Sequence, residues 1–311
     1  THSMDGNVPN LSRWFLFPLL FLIGLAAMAF AMAAAVLALT YPNLPSLEVL
    51  TDYRPKIPLR IYTADGHLIG EFGEERRAVV HIQDVPDVMK NAILAAEDER
   101  FYQHNGIDAQ GLIRAAMSNF IGGGKRQGAS TITQQVAKNF FLSSEKTYTR
   151  KLYEALLAFK IEHNLSKDQI FELYINQIFL GQRAYGFAAA SQIYYGKPLK
   201  DLTVAEAAML AGLPKAPSAF NPVVNPKRAA LRQKYVLRRM EELGFITDKQ
   251  HEEALKQALV VKRETNEFPV HAEFVAEMAR QIAAERFPEG VYTRGLRVYT
   301  TVLKADQEAA Y

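Results

Sequence analysis

The sequence is 311 residues long, carries a formal net charge of +3 and is 49% hydrophobic, which is enough apolar material for a sizeable core. It contains no cysteine, which excludes disulfides, thiolate catalysis and cysteine-based metal sites. The mild positive charge falls well short of that of a nucleic-acid-binding protein. We therefore expect no nucleic-acid partner, although clustered cations would favour an anionic ligand.

The N-terminal region predicts a membrane anchor. The first four residues, THSM, resemble the remnant of a cleaved tag, and residues 1–13 are expected to be this remnant and a cytoplasmic tail. Residues 14–41 contain no charged side chain, and about 20 apolar residues suffice to cross a bilayer. We predict a transmembrane helix over 14–41; a cleaved signal peptide and a buried core helix are the alternatives. The basic residues on its two sides do not settle its orientation.

Strand patterns flank a long helical region. Residues 42–85 are expected to form a linker and a β-hairpin, because LRIYTADGHLIGEF places two alternating runs around an Asp-Gly turn. The run RAVVHI, from Arg77, predicts a further strand. The C-terminal pattern GLRVYTTVL is also strand-like, and it could pair with the first strands and close the helical domain at its base.

Residues 86–284 are expected to be helical and to form the main domain. Several helix starts are marked by capping residues or a first-turn proline, at Pro86, Ser166, Thr203, Asn225 and Thr247. Residues 285–311 are expected to begin a linker to a further domain that this chain lacks.

Three carboxylates in a row end the first of these helices. Met89, Ile93 and Glu97 share one helix face, so Glu97 lies at the edge of an apolar stripe. Partial desolvation there would raise its pKa and suit it to proton transfer. The alternative is a helix-end acid that simply faces water.

A glycine-rich stretch, GGGKRQGASTITQQVAKN, follows from residue 122. It is not a Walker A loop, because Lys125 is followed by Arg126 rather than Ser or Thr. Five side chains in STITQQ can form hydrogen bonds, which would suit a groove for a sugar or a peptide: Ser130, Thr131, Thr133, Gln134 and Gln135. Lys138 follows Gln134 by one helical turn.

A third pattern places two cations beside one carboxylate. Arg150 and Glu154 are four residues apart, and Lys151 and Glu154 are three apart. A surface salt bridge would give the same spacing. The functional interpretation is a cationic group that grips an anionic ligand. Further along the chain, Asn176 lies in a helix interior, where Asn is disfavoured, which indicates a buried polar role.

Taken together, these motifs resemble those of the peptidoglycan glycosyltransferase domain of class A penicillin-binding proteins, glycosyltransferase family 51. The family's first two motifs match as "EDERFYQHNG", from Glu97, and "GASTITQQ", from Gly128. The third matches as Arg150, Lys151 and Glu154, and the fourth is similar across Tyr174, Asn176 and Gly181. The stretch 207–222 resembles the fifth. The C-terminal tail looks like the junction to a transpeptidase domain.

The resemblance implies a mainly α, lysozyme-like fold in two lobes with a small β element at its base, preceded by one transmembrane helix. It implies a single-pass protein of the cytoplasmic (inner) membrane with its catalytic domain outside the cytoplasm. The expected partners are lipid II, the growing glycan strand and the bilayer, with moenomycin-type inhibitors in the donor site.

The resemblance also implies the roles of the residues. Glu97 would be the general base of an inverting transfer that releases undecaprenyl pyrophosphate and makes β-1,4 glycan. Lys138, Arg150 and Lys151 would stabilise the leaving pyrophosphate, and Glu154 would orient them or hold a divalent cation such as Mg²⁺, with no cofactor obligatory. The remaining substrate contacts are expected from Asp98, Arg114, Ser130, Thr131, Thr133, Gln134, Gln135 and Asn176.

Two other functions remain open from the sequence. A membrane-anchored lysozyme-like hydrolase would also use a carboxyl in a helical cleft, but it would not need a cationic cluster. A non-catalytic scaffold would not need both Glu97 and Glu154. The apolar stretch 111–124, around Arg114, could either join the core or touch the lipid at the mouth of the cleft.

Overall fold

The computed structural model describes residues 11–51, 55–121, 130–142, 148–262, 268 and 270–311. The chain divides into two compact units, Thr1–Ser46 and Leu47–Tyr311. In the first unit, helix α1 (Leu11–Thr40) carries exposed apolar side chains at described positions between Phe17 and Leu39. Among the described residues, no helix combines the length and apolarity needed to cross a membrane, so the span predicted over 14–41 is not confirmed.

The second unit is mainly helical, as predicted. Its helices are α2 (Glu48–Thr51), α3 (Asp87–Glu97), α4 (Ala109–Ile121), α5 (Ile132–Phe141), α6 (Tyr148–Asn164), α7 (Lys167–Gln177), α8 (Phe187–Tyr195), α9 (Val204–Ala211), α10 (Pro226–Glu242), α11 (Asp248–Lys256), α12 (Glu273–Arg286) and α13 (Lys304–Ala310). Its strands are β1 (Leu59–Tyr62), β2 (Leu68–Phe72), β3 (Arg76–Arg77), β4 (Ala184–Tyr185) and β5 (Arg297–Tyr299).

The capping signals found in the sequence are present in the structure. Ser166, Thr203 and Thr247 each close a complete capping box, in which the side chain accepts from the backbone three residues on. Asn225 is the N-cap of α10, with a proline in its first turn. Pro86 is the N-cap of α3 rather than its first helical residue.

A three-stranded sheet, in the order β2-β1-β5, closes one side of the unit. Strands β1 and β2 form the predicted antiparallel hairpin, and Gly66 in its turn has a φ of +86°, which favours glycine. Strand β5 pairs with β1 in parallel, with Ile61 opposite Val298. The expected pairing of the first and last strand patterns is therefore confirmed, and alanines of α12 pack on this sheet.

The strand predicted from RAVVHI is largely wrong. Only Arg76–Arg77 is a strand, and it pairs in parallel with β4. At Val80 a side chain replaces the missing strand partner. The Asn176 amide accepts from the Val80 N–H at 2.9 Å and donates to the Val80 carbonyl at 2.8 Å. These backbone groups are satisfied without a ladder.

Two groups of helices carry the site. Helix α3 packs against α9 and α10, and α5 packs against α6 and α7. The buried face of α3 includes Met89 and Ile93, the two apolar residues of the stripe expected from the sequence. The C-terminal end of α3 and the N-terminal end of α5 meet, and this meeting point sets the position of Glu97.

Candidate active site

A cleft of about 960 Å³ lies at the end of α3, with α5 and α6 contributing residues to its lining on one side and α10 on another. Most of the predicted site residues line it: Glu97, Asp98, Arg114, Ser130, Thr131, Gln134, Gln135, Lys138, Arg150, Lys151 and Glu154. Side chains from four separate helices and the segments that join them are thus gathered in one cavity.

Glu97 is the last residue of α3, and its side chain is only 11% exposed. The Gln135 Nε2 donates to Glu97 Oε2 at 2.9 Å, and an Arg232 nitrogen lies 3.6 Å from Oε1. Burial raises the pKa of Glu97 above its ordinary value, although Gln135, Arg232 and Lys215 each oppose the rise. The solvated helix-end interpretation therefore does not hold, and the raised pKa makes this carboxylate a stronger base than an exposed glutamate.

Asp98 is buried and engaged by protein groups. His104 Nε2 lies 3.0 Å from both of its carboxylate oxygens, and the Ile132 backbone N–H donates to Oδ2 at 3.0 Å. Ile132 is the first residue of α5, so the carboxylate sits at the positive end of that helix. Asp98 thereby fastens the start of α5 to the end of α3, which differs from the predicted role in substrate binding.

The hydrogen-bonding side chains of STITQQ divide into two groups. Thr131 and Gln134 form a capping box at the start of α5, and Thr131 Oγ1 also donates to the Gly106 carbonyl at 2.6 Å. Both residues touch the cleft, but their polar atoms serve the helix end. Thr131 and Gln134 have the S/T-x-x-E/Q spacing of a capping box. The sequence-based prediction that they bind substrate overlooked this spacing. Gln135 holds Glu97, and Ser130 faces the cleft.

Two predicted residues lie outside the cleft. Thr133 is fully buried, and its hydroxyl donates to Glu162 at 2.5 Å. Asn176 is 6% exposed and bonds to Val80 and to the Glu172 carbonyl. The prediction that they bind substrate is corrected, because their polar groups are used inside the fold. The buried polar role inferred for Asn176 holds.

The cationic group forms around Glu154, whose side chain is 3% exposed. Arg150 Nε lies 3.0 Å from Oε1, and Lys151 Nζ lies 2.6 Å from Oε2. Lys151 also donates to Ser130 Oγ at 2.9 Å. A buried carboxylate with a cation on each oxygen is not a solvated surface pair, so it holds Arg150 and Lys151 at the wall of the cleft, which Lys138 also lines.

The donor set does not fit a resident metal ion. Among the described residues, no three Asp, Glu or His side chains come together as metal ligands. Both oxygens of Glu154 face nitrogen cations, which would repel a divalent ion at that position.

Helix α10 supplies residues that the sequence analysis missed. Arg232 is 8% exposed, approaches Glu97, and has its guanidinium carbon 4.5 Å from the Tyr235 ring centre. Arg239 pairs with Glu99, which also pairs with Arg114. The sequence did contain a signal for Arg232: its helical spacing puts it on the same buried face of α10 as Ala229, Val236 and Met240. Lys215 enters from the loop after α9, and burial lowers its pKa.

The arrangement combines one shielded carboxyl with cations carried by α5, α6 and α10. A hydroxyl at Glu97 would lose its proton to a carboxylate that little water reaches. An anionic group between Lys138, Arg150 and Lys151 would find a fixed positive environment. The geometry therefore supports transfer reactions in which a hydroxyl attacks and an anion leaves.

Comparison with known proteins places this site in a family. The transglycosylase family model matches residues 65–241, which include the described cleft residues except Glu242. Penicillin-binding protein 1A of Neisseria lactamica is 58% identical over 287 residues, covering 92% of this chain and 36% of the relative. That of Pseudomonas aeruginosa is 47% identical over 269 residues, covering 86% of this chain and 33% of the relative.

A crystal structure of penicillin-binding protein 1A from Haemophilus influenzae is 35% identical, with a TM-score of 0.47, covering 83% of this chain and 29% of that one. The chain thus spans about a third of the length of the curated relatives that it matches. The family model covers more than half of the chain and nearly all of the cleft, and the chain belongs to the transglycosylase family.

Proposed function

We propose that this protein is a peptidoglycan glycosyltransferase that polymerises lipid II into β-1,4 glycan. The observation that carries the proposal is Glu97. It is a shielded carboxyl with a raised pKa, held by Gln135 and Arg232, in a cleft whose wall carries a braced cationic group. This combination matches a reaction that needs one base and one anionic leaving group.

In the proposed reaction, the 4-hydroxyl of the acceptor sugar attacks the anomeric carbon of the donor. The new C–O bond forms as the bond to the lipid pyrophosphate breaks, and the hydroxyl proton passes to Glu97. Since the donor linkage is α and the product linkage is β, the configuration inverts. Gln135 holds Oε2 of Glu97 at 2.9 Å, and Oε1 lies 3.6 Å from an Arg232 nitrogen, so both oxygens of the base are positioned by neighbouring side chains.

The leaving group needs charge stabilisation rather than protonation, because pyrophosphate departs as an anion. Arg150 offers a planar guanidinium that can bind two phosphate oxygens, and Lys151 and Lys138 offer compact charges. Glu154 fixes Arg150 and Lys151 before the substrate arrives, so little reorganisation is needed. This wall is the proposed donor site, where moenomycin-type inhibitors would also bind.

A lysozyme-like hydrolase is the alternative function. The cations that line the cleft, Lys138, Arg150 and Lys151, argue against it. Its leaving group is a sugar hydroxyl that must be protonated, which calls for a second carboxyl acting as an acid. Both oxygens of Glu154 are already paired with Arg150 and Lys151, so this carboxyl is not placed to protonate a leaving sugar. A non-catalytic scaffold would give no reason to shield Glu97.

We further propose that the protein acts at the cytoplasmic membrane as a single-pass protein, with its two-lobed catalytic domain outside. The exposed apolar surface of α1 supports an anchoring role. On α4, Leu112 and Ile113 are exposed rather than part of a core, which favours lipid contact near the cleft. The side chains of Phe120 and Ile121 lie outside the described residues. In longer relatives, a transpeptidase domain is the expected neighbour.

The deciding experiment gives the chain lipid II in detergent and measures polymer length on a gel. Wild-type chain should produce glycan that a muramidase digests, and Glu97→Gln should reduce the rate by about 10²–10⁴ with the fold intact. Finished glycan should remain undigested by the chain. Degradation of that glycan, or more than about a tenth of the wild-type rate in the Gln variant, would contradict the proposal.

A further inference from the structure

One glycine beside the cleft has no backbone reason to be a glycine. Gly212 is the C-cap of α9, and its φ of −77° lies in the right-handed region that any residue adopts. A glycine at a helix end usually serves a left-handed turn, and Gly212 does not form one. The reason for a glycine therefore lies in the space around this residue.

That space is filled by the stem of Arg232, on α10. A Cβ atom at position 212 would lie 2.8 Å from Arg232 Cγ, which is closer than real Cβ atoms approach a neighbour. The Cγ atom is near the backbone of α10, so it cannot swing aside as the end of a long side chain would. A side chain at position 212 would therefore displace Arg232 or push α9 away from α10.

Arg232 connects this point to the proposed base. Its Nε donates to the Gly212 carbonyl and its Nη2 donates to the Ala96 carbonyl, both at 3.4 Å. Ala96 is in the last turn of α3, where carbonyls lack partners within the helix and a cation is favourable. An Nη2–Oε1 distance of 3.6 Å joins the same guanidinium to Glu97. One group thus contacts both the backbone and the side chain at the end of α3.

Tyr235, also on α10, lies against the same guanidinium. The guanidinium carbon of Arg232 is 4.5 Å from the centre of the Tyr235 ring, which is the distance of a cation–π contact. The two residues are three apart on the helix, so they are neighbours on its surface, and both line the cleft. Gly212 leaves room for the stem of Arg232 and Tyr235 supports its charged end, so the side chain is held at both ends.

We propose that Gly212 and Tyr235 are positioning residues that act on Glu97 by fixing the place of the Arg232 guanidinium. The inference rests on the proposed function of Glu97 as general base. A displaced guanidinium leaves the carboxylate with less positive charge beside it, so the ionised form becomes less favourable. The other ionisable groups whose charges influence this carboxyl are retained in every variant below: Asp98, Tyr174 and Lys215.

The test measures the pKa of Glu97 from the NMR shift of its carboxyl carbon in glutamate-labelled chain, with Glu97→Gln to identify the signal. Gly212→Ala and Tyr235→Leu should each raise this pKa by about half a unit to one unit, and Arg232→Ala by about one unit. The acid limb of kcat/KM for polymerisation should move upwards by the same amounts.

Two matched variants serve as controls for these changes. Gly24→Ala adds a methyl group where nothing lies within 4 Å, and Arg228→Ala removes an exposed guanidinium from the same helix, α10. Both should match wild type in the carboxyl titration and in the rate profile. Circular dichroism checks that each variant is folded, and if one of the two positioning variants does not fold, the other decides.

Double variants separate positioning from a general loss of structure. In the Arg232→Ala background, the Cγ atom that the methyl group of Gly212→Ala would meet is gone, so no further rise in the pKa is expected. Tyr235→Leu should likewise add nothing in that background. An undiminished rise there, or no rise in the folded single variants, would overturn the inference. A wild type that makes no polymer would defeat the proposed function, while the carboxyl titration still decides this inference.

Discussion

Gln135 Nε2 and Glu97 Oε2 are joined by a 2.9 Å hydrogen bond that links α5 to the end of α3. The amide has two effects. It fixes one oxygen of the carboxyl, and it opposes the rise in pKa that burial imposes on Glu97. Helix α5 therefore helps to position a group that α3 carries and moderates the effect of burial on its pKa.

Gln135→Ala should slow polymerisation at neutral pH by about tenfold, because a hydrogen bond to a charged group contributes about 1.5–3 kcal/mol and its loss is only partly felt in the barrier. The pKa of Glu97 rises further without the amide, so the acid limb of the rate profile should move to higher pH. Rates measured across the acid limb and up to mildly alkaline pH check this, with the exposed Gln281→Ala as control. An unchanged pH–rate profile would mean that Gln135 influences neither the pKa nor the position of Glu97.

Glu97→Gln should be more stable than wild type at neutral pH, although we expect it to lose nearly all activity. The folded protein raises the pKa of Glu97, so ionising the carboxyl in the folded state is unfavourable. The free energy of unfolding of wild type, relative to that of the variant, falls as the pH rises. The fall begins near the ordinary pKa of 4.5 and continues until the pH passes the raised pKa of the folded state. At a pH above both values, the variant gains about 1.4 kcal/mol for each pH unit that separates the folded pKa from the unfolded one.

Thermal melting from acid to mildly alkaline pH measures this difference, with Glu253→Gln, on the exposed face of α11, as the matched control. The melting temperatures of wild type and Glu97→Gln should converge at the acid end and diverge at the alkaline end. Convergence at the alkaline end would mean that the carboxyl is not destabilised by burial.

Lys151→Ala and Arg150→Ala should weaken binding of a pyrophosphate-bearing donor more than binding of a phosphate-free mimic, by about tenfold or more. The reason is that Glu154 presents both cations at the cleft wall. Calorimetry with the two ligands measures the difference. Lys249→Ala removes a charge from an exposed pair on α11 and should leave both affinities unchanged. Equal losses of affinity for the two ligands would mean that Arg150 and Lys151 have a structural role and do not bind the pyrophosphate.

Thr131→Ala should reduce both stability and activity, while Thr247→Ala should reduce stability alone. Each threonine closes a capping box, on α5 and α11 respectively, and loss of such a cap costs about 1 kcal/mol. Only α5 carries Gln135, so only its fraying disturbs Glu97. Melting temperature and polymerisation rate measured side by side separate the two effects. Normal activity in Thr131→Ala would show that the start of α5 is not critical.

The sequence was informative wherever function and structure depend on neighbouring residues along the chain. Spacing placed Glu154 between its two cations, and alternation predicted the hairpin and its pairing with β5. Capping rules located helix starts at Ser166, Thr203 and Thr247. All of these relationships join residues that are close along the chain or follow from strand alternation, so the spacing of residues in the sequence is enough to predict them.

The rest depended on partners that are distant in sequence. Arg232 reaches Glu97 from a helix more than a hundred residues away, and no spacing rule connects them. Asn176 was noticed as a polar residue in a helix interior and Thr133 as one of a run of hydrogen-bonding side chains. Their partners, Val80 and Glu162, show that both polar groups serve the fold. A polar residue in a motif can thus serve the scaffold that holds the reacting group.

The parallel pairing of β1 with β5 has a consequence for the order of events during synthesis. Thr300 bonds to the carbonyl of Tyr62, 238 residues earlier in the chain. Strand β1 therefore leaves the ribosome with β2 as its only available neighbour in the sheet, and this edge stays open until the whole helical region has been made. Contacts so distant in sequence form late. The sheet can therefore be completed only after the helices that line the cleft have been synthesised.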